Sequence, residues 1–166
     1  RHLYIPDGLT PGQKVPVLYM FDGHNVFFDS HATYGKSWGM AEYLDRTRTP
    51  LIVAAVECNH GPNNERLSEY TPYPFRNPRF GNVKAFGRET MEWFVRSFKP
   101  EIDRRVRTLS DRRHTFIGGS SMGGLMSLYA VTAYNQVFSR AMALSPSLWV
   151  SPEQLAQEIG QARLGP

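Results

Sequence analysis

Apolar residues fall in two kinds of run along this chain. Val15-Pro16-Val17-Leu18-Tyr19-Met20-Phe21 and Leu51-Ile52-Val53-Ala54-Ala55-Val56 are nearly continuous, which is the pattern of strands covered on both faces. Arg140-Ala141-Met142-Ala143-Leu144-Ser145 reads as a further strand. Between them the apolar positions recur every three or four residues, as on one face of a helix. Trp38, Ala41 and Leu44 predict a helix over 37–46. Met91, Phe94, Val95, Phe98, Ile102 and Val106 predict another over 84–107, kinked or split by Pro100. Ser151-Pro152-Glu153 caps a last helix, with proline in its first turn. Strands that alternate with helices predict an α/β fold, a three-layer sandwich around a mainly parallel sheet.

One stretch joins the two patterns. Thr115 to Gly118 predicts a strand, and Met122 to about Tyr134 predicts an apolar helix. Between them runs Gly119-Ser120-Ser121-Met122-Gly123, a Gly-x-Ser-x-Gly match. In a sharp strand-to-helix turn, side chains two before and two after the exposed serine collide, and glycine at both places removes the collision. Ser121 has Gly119 and Gly123 there, whereas Ser120 has Gly118 and the bulky Met122. Ser121 is therefore the candidate nucleophile. At this chain's glycine and serine content the bare pattern arises about 0.08 times by chance, so the strand before it and the helix after it carry the argument. No phosphate-loop lysine and no Gly-x-Gly-x-x-Gly spacing accompanies it.

In parallel sheets, sites form beyond the carboxyl ends of the strands. Asp22–Asn25, Glu57–His60, Gly119–Met122 and Ser145–Trp149 each follow a strand and are expected on one rim. The segment 57–82 is predicted as a long loop, with four prolines and the aromatics Tyr70, Tyr73, Phe75 and Phe80. Those aromatics either border a site or dock the loop onto the core.

Composition narrows the class. The chain has 166 residues, 41% hydrophobic and 13% aromatic, enough for one domain with a sizeable core. No apolar run approaches the roughly 18 residues needed to span a bilayer, so no membrane partner is expected. Net charge is +4, with much of the local excess in Arg104, Arg105, Arg107, Arg112 and Arg113. No nucleic-acid motif accompanies them, and a solvated helix end explains them without such a partner. The single cysteine, Cys58, permits no intrachain disulfide or zinc cluster and fits a reducing, cytoplasmic compartment. Cys58 and His60 would be the parts of a cysteine nucleophile.

Three segments together resemble the putative-esterase family of α/β hydrolases, which includes feruloyl esterases, siderophore esterases, S-formylglutathione hydrolases and mycolyltransferases. They are Val17 to Asn25, with its Asp-Gly loop; Glu65-Arg66-Leu67-Ser68-Glu69-Tyr70-Thr71-Pro72; and the run from Lys99 through Gly119–Gly124 to Leu144-Ser145-Pro146-Ser147-Leu148-Trp149. The resemblance implies hydrolysis of a small-molecule ester through an acyl-serine on Ser121. The N–H of Met122, with that of Gly23 or His24, would form the oxyanion hole. Asp22, Tyr70 and Trp149 are the candidate substrate-pocket residues. No metal and no cofactor is implied, since acyl-serine chemistry needs neither.

The fold's catalytic order is Ser, then Asp or Glu, then His. All five histidines, His2, His24, His31, His60 and His114, precede Ser121. Glu153 and Glu158, which follow it, read as helix-surface residues. The acid and histidine are therefore expected beyond Pro166, with the domain of 1–166 incomplete at its C-terminus and Gly165-Pro166 a loop. His24 and His60 are the alternative bases within the chain. An acyltransferase sharing the acyl-serine, or a non-catalytic module that keeps only the turn, remain open readings.

Overall fold

The computed structural model describes residues 1–165. Pro166, and with it half of the Gly165-Pro166 loop, lies outside the described residues. Strands β1 (His2–Tyr4), β3 (Ile52–Ala55), β2 (Val17–Met20), β6 (Thr115–Ser120) and β7 (Arg140–Leu144) form one sheet in that order. All neighbours are parallel except β1 with β3. Met20 aligns with Ala55 on one side and Gly118 on the other. The ends of β2, β3 and β6 therefore lie at one level, and the loops that leave them emerge together.

Alternate residues of each strand point to opposite faces. Val17, Tyr19, Phe21, Ile52, Ala54 and Ile117 meet Phe94, Phe98, Leu125, Met126 and Tyr129 on one side. Leu18, Met20, Val53 and Ala55 meet Val26, Phe27 and Leu44 on the other. The first face carries α3 (Gly87–Trp93), α4 (Lys99–Arg105) and α5 (Met122–Ala133), and the second carries α1 (Met40–Thr47). This is the three-layer α/β arrangement read from the sequence. The last helix, α6 (Pro152–Gln161), packs on α5. Among the described residues, no helix is long and apolar enough to cross a membrane.

Local departures from the expected elements have visible causes. The helix predicted from residue 37 begins at Met40, because Asp29 Oδ1 accepts from both the N–H and the hydroxyl of Ser37 and holds that segment in a turn. The helix predicted over 84–107 is not broken at Pro100. It widens to a π-type turn over Phe94–Phe98, where the Lys99 N–H reaches back to Phe94 O, and Pro100 then occupies the first turn of α4.

The 57–82 loop is more structured than expected. It holds a short helix, α2 (Glu65–Glu69), and a hairpin of β4 (Phe75–Asn77) with β5 (Gly81–Val83). Its aromatics dock it: Tyr70 on Phe21 at 4.9 Å, Tyr73 on Tyr129 at 6.1 Å and Phe75 on Trp149 at 5.7 Å between ring centroids.

Candidate active site

Ser121 sits between the end of β6 and the start of α5 with φ 55° and ψ −116°. A positive φ on a residue with a β-carbon is a strained conformation, so neighbouring bonds must hold it. Ser121 N–H donates to Leu144 O at 3.0 Å, and Ser121 O accepts from Leu125 N at 3.0 Å and Ser147 N at 2.9 Å. The glycines are needed for the reason foreseen. A β-carbon on Gly119 would lie 2.8 Å from the Gly123 carbonyl carbon, and one on Gly123 would lie 3.0 Å from Phe21 Cβ.

The turn leaves Ser121 exposed while Met122 is buried behind it. Met122 is the first residue of α5, and no side chain caps that end, so first-turn N–H groups point outward beside the hydroxyl. Among the described residues, the side-chain partner of Ser121 Oγ is Ser147 Oγ, 3.1 Å away. Ser147 was not singled out from the sequence; its place in the Ser-Pro-Ser loop after β7 was the only signal.

The turn after β2 is the second wall. Asp22 begins it at φ 55°, and its carboxylate is buried in a bidentate pair with Arg66, Oδ1 to Nε at 2.7 Å and Oδ2 to Nη2 at 2.6 Å. Asp22 N–H donates to the Tyr70 hydroxyl at 3.4 Å, and the Arg66 guanidinium lies over the Tyr70 ring. Asp22 and Tyr70, expected to line a pocket, are thus both buried and bonded to each other and to Arg66. Trp149 is half exposed against Phe75. Gly23 N–H, one of the expected oxyanion donors, is occupied by Val56 O at 2.8 Å. That hydrogen bond fastens the turn to the end of β3 and takes Gly23 out of the pair of expected donors, Gly23 and His24.

His24 and His60 stack edge-to-face at 4.9 Å, although they come from the loops after β2 and β3. Burial pulls the His24 pKa down from the usual imidazole range. Cys58 Sγ is 4.0 Å from His60 Nδ1, and burial pushes the Cys58 thiol up to about 12. That shift runs opposite to the lowered pKa of an activated thiol and argues against the cysteine-nucleophile reading. His114 lies at the far end of β6, bonded to Asp111 at 2.7 Å. A cavity of about 710 Å³, lined by Tyr4, Leu44, Asp45 and Arg48 among others, opens at the opposite end of the sheet and shares no residue with this rim.

The model of one protein family, described as "Putative esterase", matches residues 2–162. The chain belongs to that family. It is 27% identical to YbbA of Bacillus subtilis over 99% of its own length and 62% of that protein's. It superposes on an IroE-like serine hydrolase from Shewanella oneidensis with a TM-score of 0.73 at 24% identity, over 98% of this chain and 52% of that one. The siderophore hydrolase EstA from Aspergillus nidulans gives 0.70 at 21% identity, over 90% and 51%. These structural likenesses establish the α/β-hydrolase type of fold. The chain spans less than two thirds of the length of each of these proteins.

Proposed function

We propose that this chain is the nucleophile-bearing part of a serine carboxylic-ester hydrolase. Membership of an esterase family supports ester hydrolysis as the reaction class. The observation that carries the finer reading is the conformation of Ser121. An exposed hydroxyl is held at positive φ at the open N-terminus of α5, between two glycines whose β-carbons would crowd neighbours at 2.8 and 3.0 Å.

In this reading Ser121 Oγ attacks the ester carbonyl carbon. Its proton passes to a general base, the carbonyl oxygen becomes an oxyanion, and the alkoxide leaves with a proton returned by the same group. The N–H of Met122 and of His24 receive the oxyanion from two sides of the rim, aided by the positive end of the α5 dipole. Water then attacks the acyl-serine by the reverse course.

We place the base and its orienting acid in sequence that follows residue 166. Three observations support this. Ser121 Oγ is bonded to Ser147 rather than to a histidine. The catalytic order of the fold puts both groups after the serine. The chain spans 62% and 52% of the two relatives' lengths, which is compatible with a further segment carrying these groups.

Hydrolysis of p-nitrophenyl acetate tests this, comparing the 166-residue chain with one extended at its C-terminus. Turnover is expected with the extended protein alone, and Ser121→Ala should lower it by several orders of magnitude. Equal turnover by both would return the base to His24 or His60.

A further inference from the structure

The loops after β2 and β3 bring three metal-binding side chains together. One potential ligand atom from each of His24, Cys58 and His60 lies within 4.8 Å of the other two. The sequence implied no metal, because a lone cysteine builds no zinc cluster and acyl-serine chemistry needs none; the parallel pairing of β2 with β3 brings His24 to the loop that carries Cys58 and His60.

The far side of each imidazole faces an oxygen, hydrogen-bonded for His24 and at ion-pair distance for His60. His24 Nε2 is 3.1 Å from Thr33 Oγ1, and His60 Nε2 is 3.7 Å from Glu57 Oε2. The Nδ1 atoms are left for the shared centre. His60 Nδ1 faces Cys58 Sγ at 4.0 Å. His24 Nδ1 is buried with no hydrogen-bond partner among the described residues. A buried nitrogen without a partner is unfavourable, and a ligand at the centre would satisfy it. An imidazole whose second nitrogen is fixed by a carboxylate or hydroxyl oxygen is the usual arrangement of a metal-ligating histidine.

We propose that His24, Cys58 and His60 form a site for a thiophilic divalent cation of the zinc class. Two imidazole nitrogens and one thiolate match that class and not calcium or magnesium, which take oxygen ligands. Bonds of 2.0–2.3 Å in a tetrahedron put ligands about 3.3–3.8 Å apart. Closing from at most 4.8 Å takes a shift of up to about 1.5 Å, shared between the exposed His60 side chain and the turn that carries His24. On binding, the sulfur–metal bond forms as the Cys58 thiol releases its proton to solvent, while the imidazoles bind neutral. Asp22 beside the sulfur is paired with Arg66, and Glu57 and Glu69 add negative charge around the centre, which favours a cation there.

The site stands independently of the ester reading. It touches that reading at one residue, because His24 would ligate through its ring while its backbone borders the Ser121 rim. An occupied site would fix the Asp22–Asn25 turn.

Cobalt(II) titration of the full-length protein, followed by zinc displacement, tests the proposal without reference to activity. One equivalent of cobalt should bind with a sulfur-to-metal charge-transfer band, and zinc should erase it. Cys58→Ser should abolish the band, and His60→Ala should weaken binding at least tenfold. His31→Ala, at an exposed histidine outside the cluster, should leave it unchanged. Absence of the band in protein whose circular dichroism shows it folded would overturn the site. So would cobalt binding equally strong in His60→Ala.

Discussion

Asp22 and Arg66, 44 residues apart, form a two-pronged ion pair with separations of 2.7 and 2.6 Å, and only 4% of the Asp22 side chain is exposed. The pair ties the turn after β2 to α2, and Asp22 Oδ2 would lie 3.2 Å from a β-carbon on Gly123. One interaction thus links the first loop of the rim, the Arg-x-x-Glu-Tyr segment and the helix that follows Ser121.

Removing either partner leaves a desolvated charge alone, a loss of roughly 3–5 kcal/mol. Arg66→Ala and Asp22→Ala should each lower stability by that order in urea unfolding. The double variant should lose clearly less than the sum of the two. Simple additivity would mean that the pair does not hold the loop.

Gly119→Ala should destabilise by about 1–3 kcal/mol, because its new methyl would meet backbone at 2.8 Å rather than a side chain able to turn away. Gly160 has open space around it, and Gly160→Ala in α6 should be neutral or stabilising by up to about 1 kcal/mol. The comparison by thermal unfolding separates crowding at the turn from helix propensity.

Ser147→Ala removes the hydroxyl that faces Ser121 but leaves the Ser147 N–H bond to Ser121 O intact. The expected loss of stability is about 1 kcal/mol. The backbone conformation of Ser121 should survive, so probe labelling of Ser121 should persist in this variant.

Asp29 gives a pH signature. Hydrogen bonds from the Ser37 N–H, Lys36 and the Ser37 hydroxyl hold its carboxyl down at about 2. The unfolded value is about 3.9. The folded state therefore binds the carboxylate form better, and its stabilisation is complete above about pH 4 and fades as pH falls through about 2. The melting-temperature gap between wild type and Asp29→Asn should be constant from pH 5 to 7 and shrink below pH 4. A gap that widens in acid would contradict the assignment.

Much of the fold was legible because its signals are local. Unbroken apolar runs mark β2 and β3, and the spacing of glycines around Ser121 marks a turn whose crowding is visible in the structure. The hairpin of β4 and β5 was hidden because strands of three residues carry no measurable period. The occupied Gly23 N–H and the His24–Cys58–His60 grouping were hidden for a different reason. Both depend on β2 lying beside β3, a relation between distant segments that spacing along the chain does not express.

The central claim is that Ser121 carries the acyl group. The most direct test treats the full-length protein with a fluorophosphonate and maps the adduct by peptide mass. A single adduct on Ser121, absent in Ser121→Ala, is the predicted result. An adduct on Ser120 or Ser147, or one that survives Ser121→Ala, would contradict it.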